Sequence, residues 1–467
     1  MKTTFVGHAA VLVETKGLRI LSDPWWQGPC FGAQWWIYPK PSLEAVDAAP
    51  MDYIYISHGH ADHLHLGTLR RFPKTTKVLV SDTLDLTPSL VRAGFEVIEV
   101  GQDEEIDLGN GVMCRIIPTY ADDTLMVLSD GEEVSFNLND ALHASPRYIQ
   151  DSIVARLKQL YPKVDCVFCG YGIASHFPNC YVIPGKDNAK SAIERQKHFN
   201  RQWARIVNEI DPKFGFPFAA DVAFLEKDLF WANEPTHNGE RPIAAYAEIY
   251  PQSKAEVIDI GPGFTIENGK VIEDVRFHDV RESDLRALFE REIEKVNKHQ
   301  AVDADFIDYL REQIAERVEI CRPYLIEYSG DYRFLVVIRG ADSAIELCKK
   351  GRTLELSTRN LADLDRQSYD VILTTQSSYL RRTLSSDFGH ETLFVGSGCI
   401  FEYTSREKAE QNLHRELLPV LNNRTAPPRS RFGDQPKLMY QLKQGVKKAI
   451  GRVDEDLYDL KRWTVFS

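Results

Sequence analysis

The 467-residue sequence contains no uninterrupted apolar stretch near the roughly 18–20 residues that span a bilayer, which predicts no transmembrane helix and no membrane partner. Its opening, Met1-Lys2-Thr3-Thr4-Phe5-Val6, runs straight into a strand pattern and lacks the long apolar core of a secretory signal. Together these absences predict a cytoplasmic protein. Cysteine is sparse: eight residues, widely scattered, suit reduced thiols better than a disulfide framework. Cys166-Val167-Phe168-Cys169 spells a C-x-x-C, but no second pair follows it. A structural zinc site is therefore not expected there, and packing in the core is. An excess of basic residues is also missing, with a formal net charge of -12 and a pI of about 5.6. Nucleic-acid binders usually carry a basic footprint, so DNA and RNA are not expected as substrates, whereas a nucleotide as a small molecule stays open. Internal repeats and low-complexity tracts are absent as well.

What is present is an ordinary globular composition, 43% hydrophobic and 27% charged, on a chain too long for one compact core. Two or three domains are expected. Thr4–Glu14 alternates and reads as a strand, and Leu18–Leu21 follows after a Lys16-Gly17 turn. Tyr53–Ser57, Lys77–Val80, Glu96–Val100, Met113–Pro118, Leu125–Leu128 and Val134–Leu138 are further strands. Leu66–Phe72 and Pro88–Ala93 have helical spacing between them, so a layered α/β arrangement is predicted. Ser191–Glu209 is an amphipathic helix, Phe214–Phe218 a strand, and strand-like residues continue to about Phe264.

Composition changes near residue 280. Ser283–Ala315 is charged and helical; Tyr332–Ile338, Thr353–Leu356, Tyr369–Thr374 and Thr392–Val395 read as strands, with a helix at Ser378–Leu384. The expected organisation is a first domain over 1–280, a helical bridge over 281–315, an α+β accessory module over 316–415 and a basic, Pro-containing tail over 416–467. Lys437–Arg452 in that tail reads as a solvated charged face or as a segment that docks a partner.

The densest chemistry lies in Ser57-His58-Gly59-His60-Ala61-Asp62-His63. His58 and His60 stand two apart at a strand end, so in an extended loop they point the same way and can chelate one metal. Asp62 and His63 then turn toward a helix and face a second metal. Imidazoles with a carboxylate suit Zn²⁺, Fe²⁺ or Mn²⁺.

This pattern resembles the H-x-H-x-D-H signature of the metallo-β-lactamase superfamily, which implies an αββα sandwich with two metals at one edge of its paired sheets. Gly7-His8-Ala9 and Asp23-Pro24-Trp25 are similar to the opening of one branch of that superfamily. The resemblance makes Asp140, in Asn137-Leu138-Asn139-Asp140, the metal-bridging carboxylate, with Asp62 and Asp140 as the catalytic pair. It places His8 and Asp23 near the site as groups that orient ligands or substrate. The third-motif histidine usual in the superfamily is missing from Pro118-Thr119-Tyr120-Ala121-Asp122-Asp123-Thr124, which leaves Asp123, or else Asp122, to take its place. A later metal histidine is missing from Phe216–Glu226, where Glu226 is the nearest replacement and His176 and His237 are rivals. His176 and Tyr120 are further candidates for contact with substrate, and the Trp25, Trp26, Trp35 and Trp36 loop for a pocket wall.

The branch most similar is the metallo-β-lactamase domain of CMP-N-acetylneuraminate hydroxylase and its bacterial relatives, over roughly residues 1–260. Within the same fold, a diiron β-hydroxylase of chloramphenicol biosynthesis also carries a carboxylate in place of a histidine. The C-terminal module resembles a sterol-carrier-type fold that shapes a pocket or a dimer contact, so a homo-oligomer stays open. The resemblance implies two divalent metals, with iron favoured by the oxygen-rich ligands and zinc or manganese as alternatives. Two activities follow: hydroxylation of a polar small molecule such as a nucleotide sugar or amino-acid derivative, or hydrolysis of an ester, amide, lactone or phosphodiester by a metal-bound hydroxide. The ligands of a Rieske centre, C-x-H and C-x-x-H, do not occur, so the oxygenase reading calls for a separate electron donor. A degenerate fold serving as a scaffold is the non-enzymatic reading.

Overall fold

The computed structural model describes residues 1–422 apart from 103, 120–122, 173–177, 235–238, 278–281, 301–303 and 387–388. Tyr120, Asp122, His176, His237 and the basic segment Lys437–Arg452 therefore lie outside the described residues. Two sheets stack face to face. The first, in order, is Lys270–Glu273, Thr265–Glu267, Lys2–Gly7, Ala10–Thr15, Leu18–Ser22, Tyr53–Tyr55, Lys77–Ser81 and Glu96–Val100. The second runs Glu256–Val257, Phe214–Phe218, Cys166–Gly170, Val134–Asn137, Thr124–Ser129, Met113–Pro118 and Glu105–Asp107.

The period of two in the strands builds the layers. Val11 and Val13 point into the space between the sheets with Tyr55, Ile116, Met126 and Phe216, while Ala10 and Leu12 point outward to Leu69, Phe72 and Leu90. On the far side Val127, Phe136 and Val167 pack under the helices Arg147–Leu160 and Asn188–Ile210 through Leu157, Trp203 and Val207. The result is the expected αββα sandwich.

Cys166 and Cys169 fall on one fully buried strand, Cys166 facing the inter-sheet core and Cys169 the helices. Residues three apart on a strand point oppositely, so the two thiols cannot share a metal. Burial pushes the Cys166 thiol up to about 12 and Cys169 higher still, which fits inert core thiols.

Several expectations need correction. Thr4–Glu14 is two antiparallel strands, because the chain reverses at His8, whose φ is 50°. The stretch from Phe218 to Phe264 is mostly not strand: it holds the helix Pro242–Ile249, begun by a proline at a position where its missing N–H costs nothing. Arg147–Leu160 escaped notice as a helix because its buried positions include Gln150. Thr392–Val395 belongs to a short helix, Glu391–Phe394, not a strand.

A third, six-stranded sheet follows the order Tyr181–Val182, Cys399–Tyr403, Val371–Thr375, Tyr332–Ile338, Ser343–Lys350 and Thr353–Asn360. Its core is covered by Leu310, Ile314, Val318 and Leu325 of the helix Ala304–Ile326. The boundary expected at 315–316 thus falls inside one helix, and Tyr181–Val182, from the first domain, completes the sheet parallel to Cys399–Tyr403. Leu417, Val420 and Leu421, expected in the tail, are buried in this core.

Where the Cys166–Gly170 strand ends, the chain passes close to the segment carrying Asp140. A Cβ at Gly170 would stand 2.7 Å from the Asn139 carbonyl oxygen and 2.8 Å from Asp140 Cα. Gly170→Ala is expected to push that segment aside at a cost of about 1–3 kcal/mol, lowering both melting temperature and bound metal. Calorimetry and elemental analysis check it; wild-type values for both would mean the backbone there yields freely.

Candidate metal centre

Side chains from both sheets meet at one edge of the sandwich, largely at strand ends, where loops can converge. Tyr53–Tyr55 lies parallel between Leu18–Ser22 and Lys77–Ser81 and delivers the His58–His63 loop. Asp23 follows Leu18–Ser22, Asp140 follows Val134–Asn137, and Asp123 immediately precedes Thr124–Ser129. Polar contacts tie the sheets together behind the loop. Thr124 Oγ1 donates to the Ser57 carbonyl at 2.6 Å, and the Ser57 N–H donates to Asp23 Oδ1 at 2.9 Å. His8, Asp23, Asn139 and Ala219 hold left-handed backbone conformations without being glycine. Each costs on the order of 1–3 kcal/mol, and the four gather around one edge.

The histidines and carboxylates are close: His58, Asp62 and His63 are buried, and His60, Asp123 and Asp140 half-buried. His58 Nε2 lies 2.8 Å from His60 Nδ1, a separation at which two imidazoles can share one ion. His58 Nδ1 is 3.1 Å from Asp123 Oδ1 and 3.8 Å from Asp140 Oδ1. Asp140 reaches the other way too, with Oδ2 3.7 Å from His63 Nε2. His63 Nε2 lies 3.3 Å from Asp62 Oδ2, while its Nδ1 is 3.2 Å from Asp23 Oδ2, so Asp23 can orient that ring.

Charge balance tests whether metals fit. Burial drives the pKa of His58 well below that of an ordinary histidine, with His63 adding to it, and His60 is lowered as well. Burial opposes the charged ring of His63, but Asp62 and Asp140 outweigh it and raise its pKa well above the usual value. Asp123, pressed by burial and then by the charge of Asp140, is held far above the carboxylate range. Protons alone leave several groups unsatisfied: Asp62 Oδ1, His63 Nε2, Asp123 Oδ1 and Asp140 Oδ1 are buried without a hydrogen bond. Such orphans are rare in native proteins. Divalent cations would satisfy these donors and neutralise the carboxylates.

Glu226, expected as a ligand, is not among the gathered donors. Its carboxylate accepts from Gln34 Nε2 at 3.1 Å and from the Tyr379 hydroxyl, because its loop packs against the C-terminal module. A small cleft of about 70 Å³ opens beside Asp62 and Asp140, walled by Trp35, Val222 and Phe224, with Arg195 and Gln196 of the Asn188–Ile210 helix also lining it. Of the four tryptophans in the early loop, Trp35 lines this cleft, while Trp25 stands edge-on to His8 at 5.1 Å. Sequence reasoning missed Arg195, Tyr379 and Glu391. Arg195 could have been suspected as a cation among the buried positions of an amphipathic helix; the other two carry no local signal.

Comparison with known proteins agrees with this geometry. Residues 2–141 match the family described as beta-lactamase superfamily domain. This stretch is a beta-lactamase superfamily domain. The chain is 30% identical over 266 residues to a Mycobacterium tuberculosis protein named as a putative Rieske 2Fe-2S iron-sulfur protein, covering 54% of this chain and 48% of that one. The chain thus spans about half the length of this relative. The cytidine monophosphate-N-acetylneuraminic acid hydroxylase of Danio rerio is 38% identical over 72 residues, 15% of this chain and 12% of its own. A metal-dependent hydrolase of Anaeromyxobacter sp. (strain K) is 36% identical over 112 residues, 24% of this chain and 37% of its own. No described helix is long and apolar enough to cross a membrane.

Two outcomes follow from the burial of so much charge. Chelation of bound metal is expected to lower the melting temperature, and readdition at about 100 times the dissociation constant to restore about 2.7 kcal/mol; calorimetry that detects no difference would contradict the site. Glu391, in the C-terminal module, has its pKa raised from 4.5 to about 8 by burial and then by the charge of Asp62. A carboxyl raised in the folded state contributes stability below its unfolded value and loses it as pH climbs toward the folded value. Between 4.5 and about 8, stability should therefore fall with pH, and Glu391→Gln should flatten that fall in a series of thermal melts.

Proposed function

We propose that this protein is a dinuclear-metal oxygenase, with iron as the metal, that hydroxylates a polar small molecule. The observation that carries the reading is the Asp123 carboxylate 3.1 Å from His58, in a segment with no histidine to serve instead. With Asp62 and Asp140 it makes the donor set rich in oxygen, and hard donors move preference from zinc toward iron or manganese. Similarity to a CMP-N-acetylneuraminic acid hydroxylase and to Rieske-named proteins supports the same direction.

When bound, the metals would supply the redox chemistry for activating O₂. The protein's own residues do the rest. His58, His60, Asp62, His63, Asp123 and Asp140 would hold the metals, and Asp23 orients His63. Trp35, Val222 and Phe224 wall off water on one side of the cleft, while Arg195 and Gln196 offer polar contacts for a substrate. Hydroxylation consumes one O₂, two electrons and two protons for each C–H converted to C–OH, with release of one water. These 467 residues hold no Rieske ligand pair, so in this reading the electrons come from a redox centre outside them.

The second reading is hydrolysis by a metal-activated water, supported by the similarity over 112 residues to a metal-dependent hydrolase. Metal analysis of protein purified without oxygen separates the two. The oxygenase reading expects two irons per chain, a new visible absorption band on exposure to O₂, and O₂ uptake when a reductant is supplied. Zinc at full occupancy with no response to O₂ would overturn it and leave the hydrolase.

A further inference from the structure

His8 sits in the reversal between the strands Lys2–Gly7 and Ala10–Thr15, 5% exposed. Its Nδ1 is 3.2 Å from the Asp221 carbonyl oxygen, which can only accept, so Nδ1 carries hydrogen. The other nitrogen, Nε2, points inward and lies 3.0 Å from Asp62 Oδ2. On a neutral ring that nitrogen is a lone pair facing a carboxylate oxygen, an arrangement that a cation between them resolves. His63 Nε2 is 3.3 Å from the same oxygen, so three donor atoms converge on one point. Of these residues, Asp62 Oδ1 and His63 Nε2 are buried without a hydrogen bond.

The surroundings hold His8 to this pose. Its carbonyl accepts from the Ala219 N–H at 3.0 Å, and its φ of 50° is a strained conformation that the fold retains. Trp25 closes one side of the ring. The acceptor behind it is fixed in turn: Asp221 takes a hydrogen bond from Tyr171 at 2.7 Å and one from Arg241 at 3.2 Å. A metal-bound histidine backed by a carbonyl that is itself anchored has this form.

We propose that His8 is a metal ligand, completing with Asp62 and His63 a position for a divalent ion beside the donors His58, His60, Asp123 and Asp140. The proposal rests on the reading of the site as a metal centre and adds a ligand from outside the His58–His63 loop. Two nitrogens and a carboxylate oxygen, with Asp140 shared, suit a borderline ion such as Fe²⁺, Zn²⁺ or Co²⁺.

The test uses the full chain, stripped of metal and equilibrated by dialysis against Zn²⁺. His8→Gly is the variant of choice, since glycine accepts the positive φ and leaves a hole the size of an imidazole. Wild type is expected to bind two ions. The variant should keep one and bind the second at least about a hundredfold more weakly, beyond the usual cost of losing an orienting group. At zinc high enough to load both positions, X-ray absorption at the zinc edge should count fewer imidazoles per ion, and free imidazole should restore both readouts. A folded variant that binds both ions as wild type does, with the same imidazole count, overturns the proposal. If wild type binds a single ion, the dinuclear reading fails; His8 is then upheld by loss of that ion in the variant and refuted by its retention. No binding in wild type refutes both. His8→Asn, compared by circular dichroism and melting temperature, separates loss of the ligand from loss of the fold.

Discussion

Three carboxylates, the buried one of Asp62 and the half-buried ones of Asp123 and Asp140, press against the same small group of imidazoles. Carboxylates taken out of water repel one another unless protons or cations intervene, and the cost in a low-dielectric interior is several kcal/mol per ion. The metal-free arrangement meets that cost by distortion of proton affinities: Asp123 is driven up by burial and by Asp140, and His63 is drawn up by Asp62 and Asp140. A pair of divalent ions would replace this uneven compromise with direct coordination. Much else in the fold makes sense as scaffolding that keeps the charges together.

That scaffolding is chiefly apolar. The inter-sheet core of Val11, Val13, Tyr55, Ile116, Met126 and Phe216 fixes the two sheets in register, so that loops from opposite sheets meet at one edge. Thr124, reaching across to the Ser57 carbonyl, is where the second sheet clamps the histidine loop of the first. Strained backbone at His8, Asp23, Asn139 and Ala219 is tolerated because these cores outweigh it. The third sheet is tied in by the strand Tyr181–Val182 and by the Tyr379 hydroxyl on Glu226. Through Glu391 it also places an acidic group within electrostatic reach of Asp62. The C-terminal module thus packs against the domain that carries the site.

Local pattern determined a good deal. The spacing of His58, His60, Asp62 and His63 is a property of consecutive residues, so its meaning survives without knowledge of the fold. The strands Lys77–Ser81, Glu96–Val100, Met113–Pro118 and Phe214–Phe218 were legible because their residues are β-branched or aromatic and are bounded by turns. Asp140, standing just past a strand, was singled out through the family resemblance. Where the pattern was ambiguous, the reading failed. Thr4–Glu14 alternates throughout and conceals the reversal at His8, and Arg147–Leu160 buries a glutamine where a helix face should be apolar.

The tertiary structure alone decided which distant residues share the site. His8 and Asp62 are 54 residues apart, and their 3.0 Å contact depends on sheet order, which composition and periodicity do not encode. Glu226 looked like a ligand by position, yet its neighbours Gln34 and Tyr379 come from elsewhere in the chain and claim its carboxylate. The sequence by itself determined that a metal-binding loop ends a strand in a layered α/β domain. Folding decided how many donors reach it, because coordination is a matter of distances in space, and those are set by the packing of whole sheets.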